Sequence, residues 1–281
     1  ATITLSDLYL GDYTIEEMEI PKIQGTEIER YVAVRRSVSI TENGQNREVT
    51  LTNRWKKGIL EIKKTAYLQD GENRLEIGDL SSFKVRVEGT SYYGNNVDRT
   101  LNFDQDGNIT TTLEIGEYTI TEVSADGYDV YYNVNGQLVN SLIGTEIEIK
   151  YNEVTKSAET TTQEITNVHT GLGYVKVAKT LEGITDPQKV IDAGIRFRVV
   201  GKNVAGGNVN EEILIDQIDT QNNVAYGISG PISTGGDYQL EEIEGTVPDY
   251  FEAAEPVAVN LTTANTVDNP LVIDVENKRT K

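Results

Sequence analysis

Apolar and polar residues alternate with a period of two along most of the chain. Val, Ile, Thr and Tyr supply most of the strand-forming positions, and turn clusters such as Asp106-Gly107-Asn108 and Gly206-Gly207-Asn208 separate the runs. Residues at i, i+2 and i+4 of a strand share one face, so each run reads as a half-buried strand bounded by turns. Residues 186–193 are the one stretch that suggests a short helical turn. The predicted fold class is all-β, with tandem immunoglobulin-like β-sandwich domains.

The pattern repeats. Residues 11–17 (GDYTIEE), 116–122 (GEYTITE) and 236–242 (GDYQLEE) each read as a turn Gly, an acid, then Tyr-x-Ile/Leu-x-Glu. Each is followed by a run ending in apolar-x-apolar-x-Asn: Val49 to Asn53, Gln163 to Asn167 and Ile273 to Asn277, with Gln163 replacing the first apolar residue of the middle copy. Two further runs, Leu60-Glu61-Ile62-Lys63-Lys64 and Val175-Lys176-Val177-Ala178-Lys179, read apolar-x-apolar-x-Lys and precede the second and third copies. Matched repeats mark one structural unit written more than once. The predicted domains are residues 1–56, the C-terminal part of a sandwich whose lysine strand would lie upstream, and two complete sandwiches, 57–170 and 171–281. The joints at 54–58 and 168–173 are short, which suits a rod better than a flexible string.

The alternation also places chemistry. Lys64 falls on the face of Leu60 and Ile62, Glu122 on that of Tyr118 and Ile120, and Asn167 on that of Ile165. Lys179, Glu242 and Asn277 repeat this arrangement, while Lys63 and Lys176 fall on the opposite face. If the stripes face a core, each complete domain points an amine, an acid and a carboxamide inward. Burying such groups is costly unless they meet one another. Desolvation disfavours charge, so the expected pair is a neutral amine beside a protonated acid. The amine is then a nucleophile, and the acid can polarise the carboxamide and shuttle protons to departing ammonia. Holding the reactants in contact contributes roughly 7–11 kcal/mol toward the barrier. The predicted product is an amide between Lys Nζ and Asn Cγ, at Lys64–Asn167 and Lys179–Asn277, with Glu122 and Glu242 as catalytic acids. This is a single-turnover self-modification and not enzymatic turnover. Glu17 and Asn53 are the remnants of a third triad without its lysine, and a complementing N-terminal strand from elsewhere could supply it.

Composition narrows the setting. The formal charge is −20, from 45 acidic against 25 basic residues, which argues against nucleic acid and anionic membranes as partners. There is no Cys, and with one His and one Met no metal site or cofactor is expected. No apolar run approaches a membrane span. A covalent tie that cannot be reduced would replace the disulfides common in secreted β proteins.

The order of lysine strand, Tyr-x-Ile/Leu-x-Glu and apolar-x-Asn resembles the Cna protein B-type domains of Gram-positive pilins and surface adhesins. The glutamate segment is similar to that family's "E-box", with Gly127-Tyr128 following Glu122, Pro248-Asp249-Tyr250 following Glu242, and Pro21 following Glu17. The resemblance implies a sandwich fold, an isopeptide bond between first and last strands, sortase-linked display on the cell wall or a pilus, and neighbouring pilin or adhesin subunits as partners. The function it implies is a structural shaft or stalk. The alternative is a ligand-binding adhesin module that recognises a host protein or glycan through loops at the sandwich ends.

Other features are expected to be structural. Residues 104–108 read as a β-turn in preference to a calcium loop. Tyr92-Tyr93 and Tyr131-Tyr132 read as surface strand residues, and His169, alone at a joint, as solvent-exposed. Asn108-Ile109-Thr110 and Asn260-Leu261-Thr262 fit the glycosylation pattern.

Overall fold

The computed structural model describes residues 2–70, 72–123 and 126–280. The structure is all-β and built of sandwiches, with one short α-helix among the described residues, Pro187–Asp192, where the helical turn is predicted. Asp186 caps it by accepting the Gln188 N–H, and Pro187 occupies the first turn, where a missing N–H costs nothing.

The middle sandwich packs two sheets. One orders the strands Thr145–Ile149, Gly116–Val123, Lys84–Ser91 and Asn96–Asn102. The other orders Gln137–Asn140, Tyr128–Val134, Thr160–His169, Lys57–Asp70 and Asn73–Glu76, with Asn108–Glu114 pairing the first half of Lys57–Asp70. The last sandwich repeats the scheme. Gln217–Asp219, Val224–Ile228, Val175–Leu181 and Leu271–Asn277 face Asn208–Leu214, Arg196–Lys202, Asp237–Glu242 and Val257–Val259.

The alternation sets the cores. Leu60, Ile62, Val85, Val87, Tyr118, Ile120 and Ile165 are buried in the middle sandwich; Val175, Val177, Phe197, Val199, Tyr238, Leu240 and Val275 are buried in the last. Gln163 keeps its place on the core face, and its amide is satisfied by the carbonyls of Asn133 and Glu164 at 3.1 and 2.8 Å. In each sandwich the lysine strand and the asparagine strand are neighbours and run parallel.

The first segment differs. Gly11–Glu16 pairs with Arg35–Ile40, and Tyr31–Val32 with Arg54–Trp55. Ile23 is its one buried apolar side chain among the described residues, while Ile3, Leu5, Tyr9, Leu10 and Met18 are exposed. The run 49–53, expected as a strand, forms no ladder. Its counterparts each pair in parallel with a lysine strand, and the described residues of this segment include none. An unpaired strand leaves its N–H and C=O groups to water.

Two expectations about surface residues are corrected. His169 is fully buried, because the chain turns at that point into a packed joint with the last sandwich. Tyr132 is also buried, since a Tyr doublet on an alternating strand must send one ring inward. Tyr131, Tyr92 and Tyr93 are half-buried; Tyr93 stacks on Trp55 with ring centroids 5.0 Å apart. Residues 104–107 form a β-turn, with Gly107 in the left-handed region and Asp104 accepting the Asn108 N–H at 2.7 Å.

Candidate functional site

The lysine and asparagine strands of a sandwich lie in one sheet and the glutamate strand in the other, so each triad bridges the core. In the middle sandwich Lys64 stands opposite Ile165, and Asn167 opposite Ala66, two positions further along the same face. The last sandwich repeats this offset: Lys179 is opposite Val275, and Asn277 opposite Leu181. Glu122 pairs with Val85 and Glu242 with Phe197 across their own sheet.

Lys64 donates from Nζ to Glu122 Oε2 at 2.7 Å, and Asn167 donates from Nδ2 to Glu122 Oε1 at 2.5 Å. The side chains of Lys64 and Glu122 are 0 % and 1 % exposed. Asn167 Oδ1 is buried without a hydrogen-bond partner among the described residues. The main-chain N–H of Glu122 donates to the Tyr132 hydroxyl at 2.8 Å, so the buried tyrosine fixes the strand position that carries the acid. Phe83 and Phe103 flank the amine, with ring centroids 4.3 and 5.6 Å from Nζ. Burial pushes the Lys64 ammonium down to about 8, against the opposing pull of Glu122.

In the last sandwich Lys179 donates to Asn277 Oδ1 and lies 3.2 Å from Glu242 Oε1. Asn277 Nδ2 donates to both Glu242 oxygens, at 3.1 and 2.9 Å, and the Ala254 N–H donates to Oε2 at 2.8 Å. Lys179, Glu242 and Asn277 are all buried. Burial again lowers the lysine, with Glu242 pulling the other way. The ring of Phe197 lies 5.7 Å from the amine. The structure therefore brings together two sets of amine, acid and carboxamide, each in a water-poor core.

The other sequence candidates lie elsewhere. Lys63 is exposed. Lys176 is half-buried, with its amine 3.4 Å from Asp219 and 4.1 Å from the Tyr226 ring centroid. Asn53 donates to Glu17 Oε1 at 3.0 Å near the surface, and the second oxygen, Oε2, is buried with no partner among the described residues. A residue that the sequence does not flag is Lys56, 1 % exposed at the first joint, where it meets Glu153 at 2.5 Å and Glu29 at 3.5 Å. Its burial depends on a segment far away in the chain, which no local pattern reports. Among the described residues no cluster of three or more His, Cys, Asp or Glu is arranged to hold a metal ion. No helix among them is long and apolar enough to cross a membrane.

No protein-family model matches the sequence, and no curated protein matches it. Among solved structures the chain is similar to the Bacillus anthracis TIE protein, at 19% identity over 97% of this chain, with a TM-score of 0.42; it spans 43% of that chain. It is similar to the streptococcal ancillary pilin at 16% identity, covering 97% of this chain and 76% of that one, with a TM-score of 0.33. It is also similar to the shaft pilin SpaA from Lactobacillus rhamnosus GG at 11% identity, covering 80% of this chain and 99% of that one, with a TM-score of 0.31.

Proposed function

We propose that the chain is part of the shaft or stalk of a Gram-positive pilus or surface adhesin, displayed outside the cell and anchored to its wall. Its units are residues 1–56, 57–170 and 171–281, of the Cna protein B type. Each of the last two closes an intramolecular isopeptide bond, Lys64–Asn167 and Lys179–Asn277. The observation that carries this reading is that two sandwiches of different sequence keep the same buried triad at the same two-residue strand offset.

The reaction balances within the triad. The neutral Nζ attacks Cγ of the asparagine, a Nζ–Cγ bond forms, and the Cγ–Nδ2 bond breaks. One proton passes from Nζ to Nδ2 through the Glu122 or Glu242 carboxyl, and ammonia leaves. A buried Lys is suited to the attack because desolvation favours its uncharged form. The tie joins the first and last strands of each unit, so tension crosses a covalent bond before it reaches the core. Neighbouring pilin or adhesin subunits are the partners of such a shaft.

Intact mass spectrometry tests the reading. The expected mass is the sequence mass less two ammonias, and Lys64→Ala and Lys179→Ala should each restore one. Full sequence mass in the folded wild type would sink it. For the first segment, the unpartnered Glu17 Oε2 beside Asn53 supports a second reading, in which a separate lysine-bearing strand completes the unit. Incubation with a synthetic strand carrying one Lys should give an adduct that Asn53→Ala abolishes; no adduct with any such strand removes this reading.

A further inference from the structure

The tie points of the two sandwiches are separated by the run from Asn167 to Lys179, which contains the joint and no triad residue of its own. His169 sits at its start, two residues beyond Asn167 and fully buried. Its ring packs edge-on against Tyr128 with centroids 4.6 Å apart, and Nε2 lies 3.3 Å from the Thr234 hydroxyl of the last sandwich. Gly127 has a φ of +81°, and a Cβ placed there would come within 2.8 Å of the imidazole and 2.9 Å of Thr234. The Thr234 N–H donates to the Gly171 carbonyl at 3.0 Å. Asp126, on the same loop as Gly127, accepts the N–H and hydroxyl of Thr263 at 3.0 and 2.5 Å. The joint is thus a packed interface with a histidine at its centre.

We propose that this joint is an acid-sensitive clamp, closed while His169 is neutral and released when it is protonated. Nδ1 is buried and has no hydrogen-bond partner among the described residues. The neutral ring fits this site when Nε2 carries the hydrogen and donates to Thr234, leaving a lone pair on Nδ1. Protonation puts an N–H on Nδ1 with nothing to accept it, and it adds a charge to a dry interface; both are costly.

The charged and titratable groups around the ring come from the middle sandwich. Asp126 favours the imidazolium, but its carboxylate is engaged by Thr263, whose hydrogen bonds hold it below the usual carboxylate range. The Tyr128 hydroxyl is pushed up to about 12 by burial and stays neutral. Asp129 lies one residue beyond Tyr128 and accepts from the Thr170 hydroxyl at 3.4 Å. Thr234 and Thr263, from the last sandwich, carry no charge. Burial outweighs Asp126 and holds the imidazole below its ordinary value. In the open joint the ring is solvated and titrates near 6.5. Opening therefore takes up a proton, so the clamp is closed above about pH 6.5 and loosens as pH falls below it.

The chain has one histidine, so a single imidazole NMR signal reports the site. That signal would be titrated from about pH 7.5 to about pH 5. Amide exchange at Gly171 and Thr234 would be followed in parallel, against core amides at Ile165 and Val177 and corrected for intrinsic rates. The expected result is a midpoint below that of a free histidine. Joint protection should fall by up to about tenfold per pH unit while the cores hold, and His169→Gln should remove the pH dependence. An ordinary midpoint, or joint protection that is constant with pH, overturns the proposal in the wild type alone. A loss that persists unchanged in a folded His169→Gln variant overturns it as well.

Discussion

The first segment and the two sandwiches carry nearly the same motif in different surroundings. Glu17 and Asn53 meet through one hydrogen bond near the surface; Glu122 with Asn167, and Glu242 with Asn277, meet inside a core with a lysine on the acid. What differs is the partner sheet. Lys57–Asp70 and Val175–Leu181 bring an apolar stripe together with the amine, and the stripe excludes the water that would otherwise solvate all three groups. The motif sets which groups meet, and the surrounding core sets how far they are removed from water.

The largest expected effect is loss of a proposed Lys–Asn tie. On the proposed reading, Lys64→Ala and Lys179→Ala each open a covalent loop of about 100 residues, and each should lower unfolding stability by roughly 4–5 kcal/mol on the loop-entropy account. Thermal and denaturant unfolding check this, and variants as stable as the wild type would place the ties outside the stability of the sandwiches.

A second effect is one of pH. Burial holds the free Lys64 amine at about 8 in the folded state against 10.5 in the unfolded chain, and Asn167→Ala removes the partner of its proposed bond. The folded state then binds fewer protons between those values, so stability should rise as pH increases from about 8 to about 10.5. Urea unfolding across that window reads the slope, and a flat profile would show that the amine is not desolvated.

Smaller effects lie near the first segment. Trp55→Ala removes the stack on Tyr93 and should cost about 0.5–1.5 kcal/mol, read as early unfolding of the first joint by hydrogen exchange. Glu17→Ala should change global stability by less than about 0.5 kcal/mol. A larger loss on calorimetry would mean that the Glu17–Asn53 pair does more than its counterparts' surroundings suggest.

Most of the architecture was legible because a sheet repeats every second residue, and the chain writes that period clearly at Leu60 to Lys64 and Val175 to Lys179. The same period assigned Lys63 and Lys176 to the outer face. Residues 186–193 suggested the helical turn, and the structure adds the Asp186 cap and Pro187 in the first turn. What was hidden is non-local. His169 is buried by Thr234 and the Gly127 turn, and Lys56 by Glu29 and Glu153, all distant in sequence. The run 49–53 has a strand's pattern, but a strand also needs a neighbour.

The parallel pairing of first and last strands has a mechanical consequence. Thr160–His169 lies beside residues 59–68 over ten residue pairs, so the chain enters the pair at one end and leaves it at the other. In a sandwich without a covalent tie, a pull on the two termini therefore shears the ladder along its length, loading its rungs together, whereas an antiparallel hairpin pulled at its open end would peel one rung at a time.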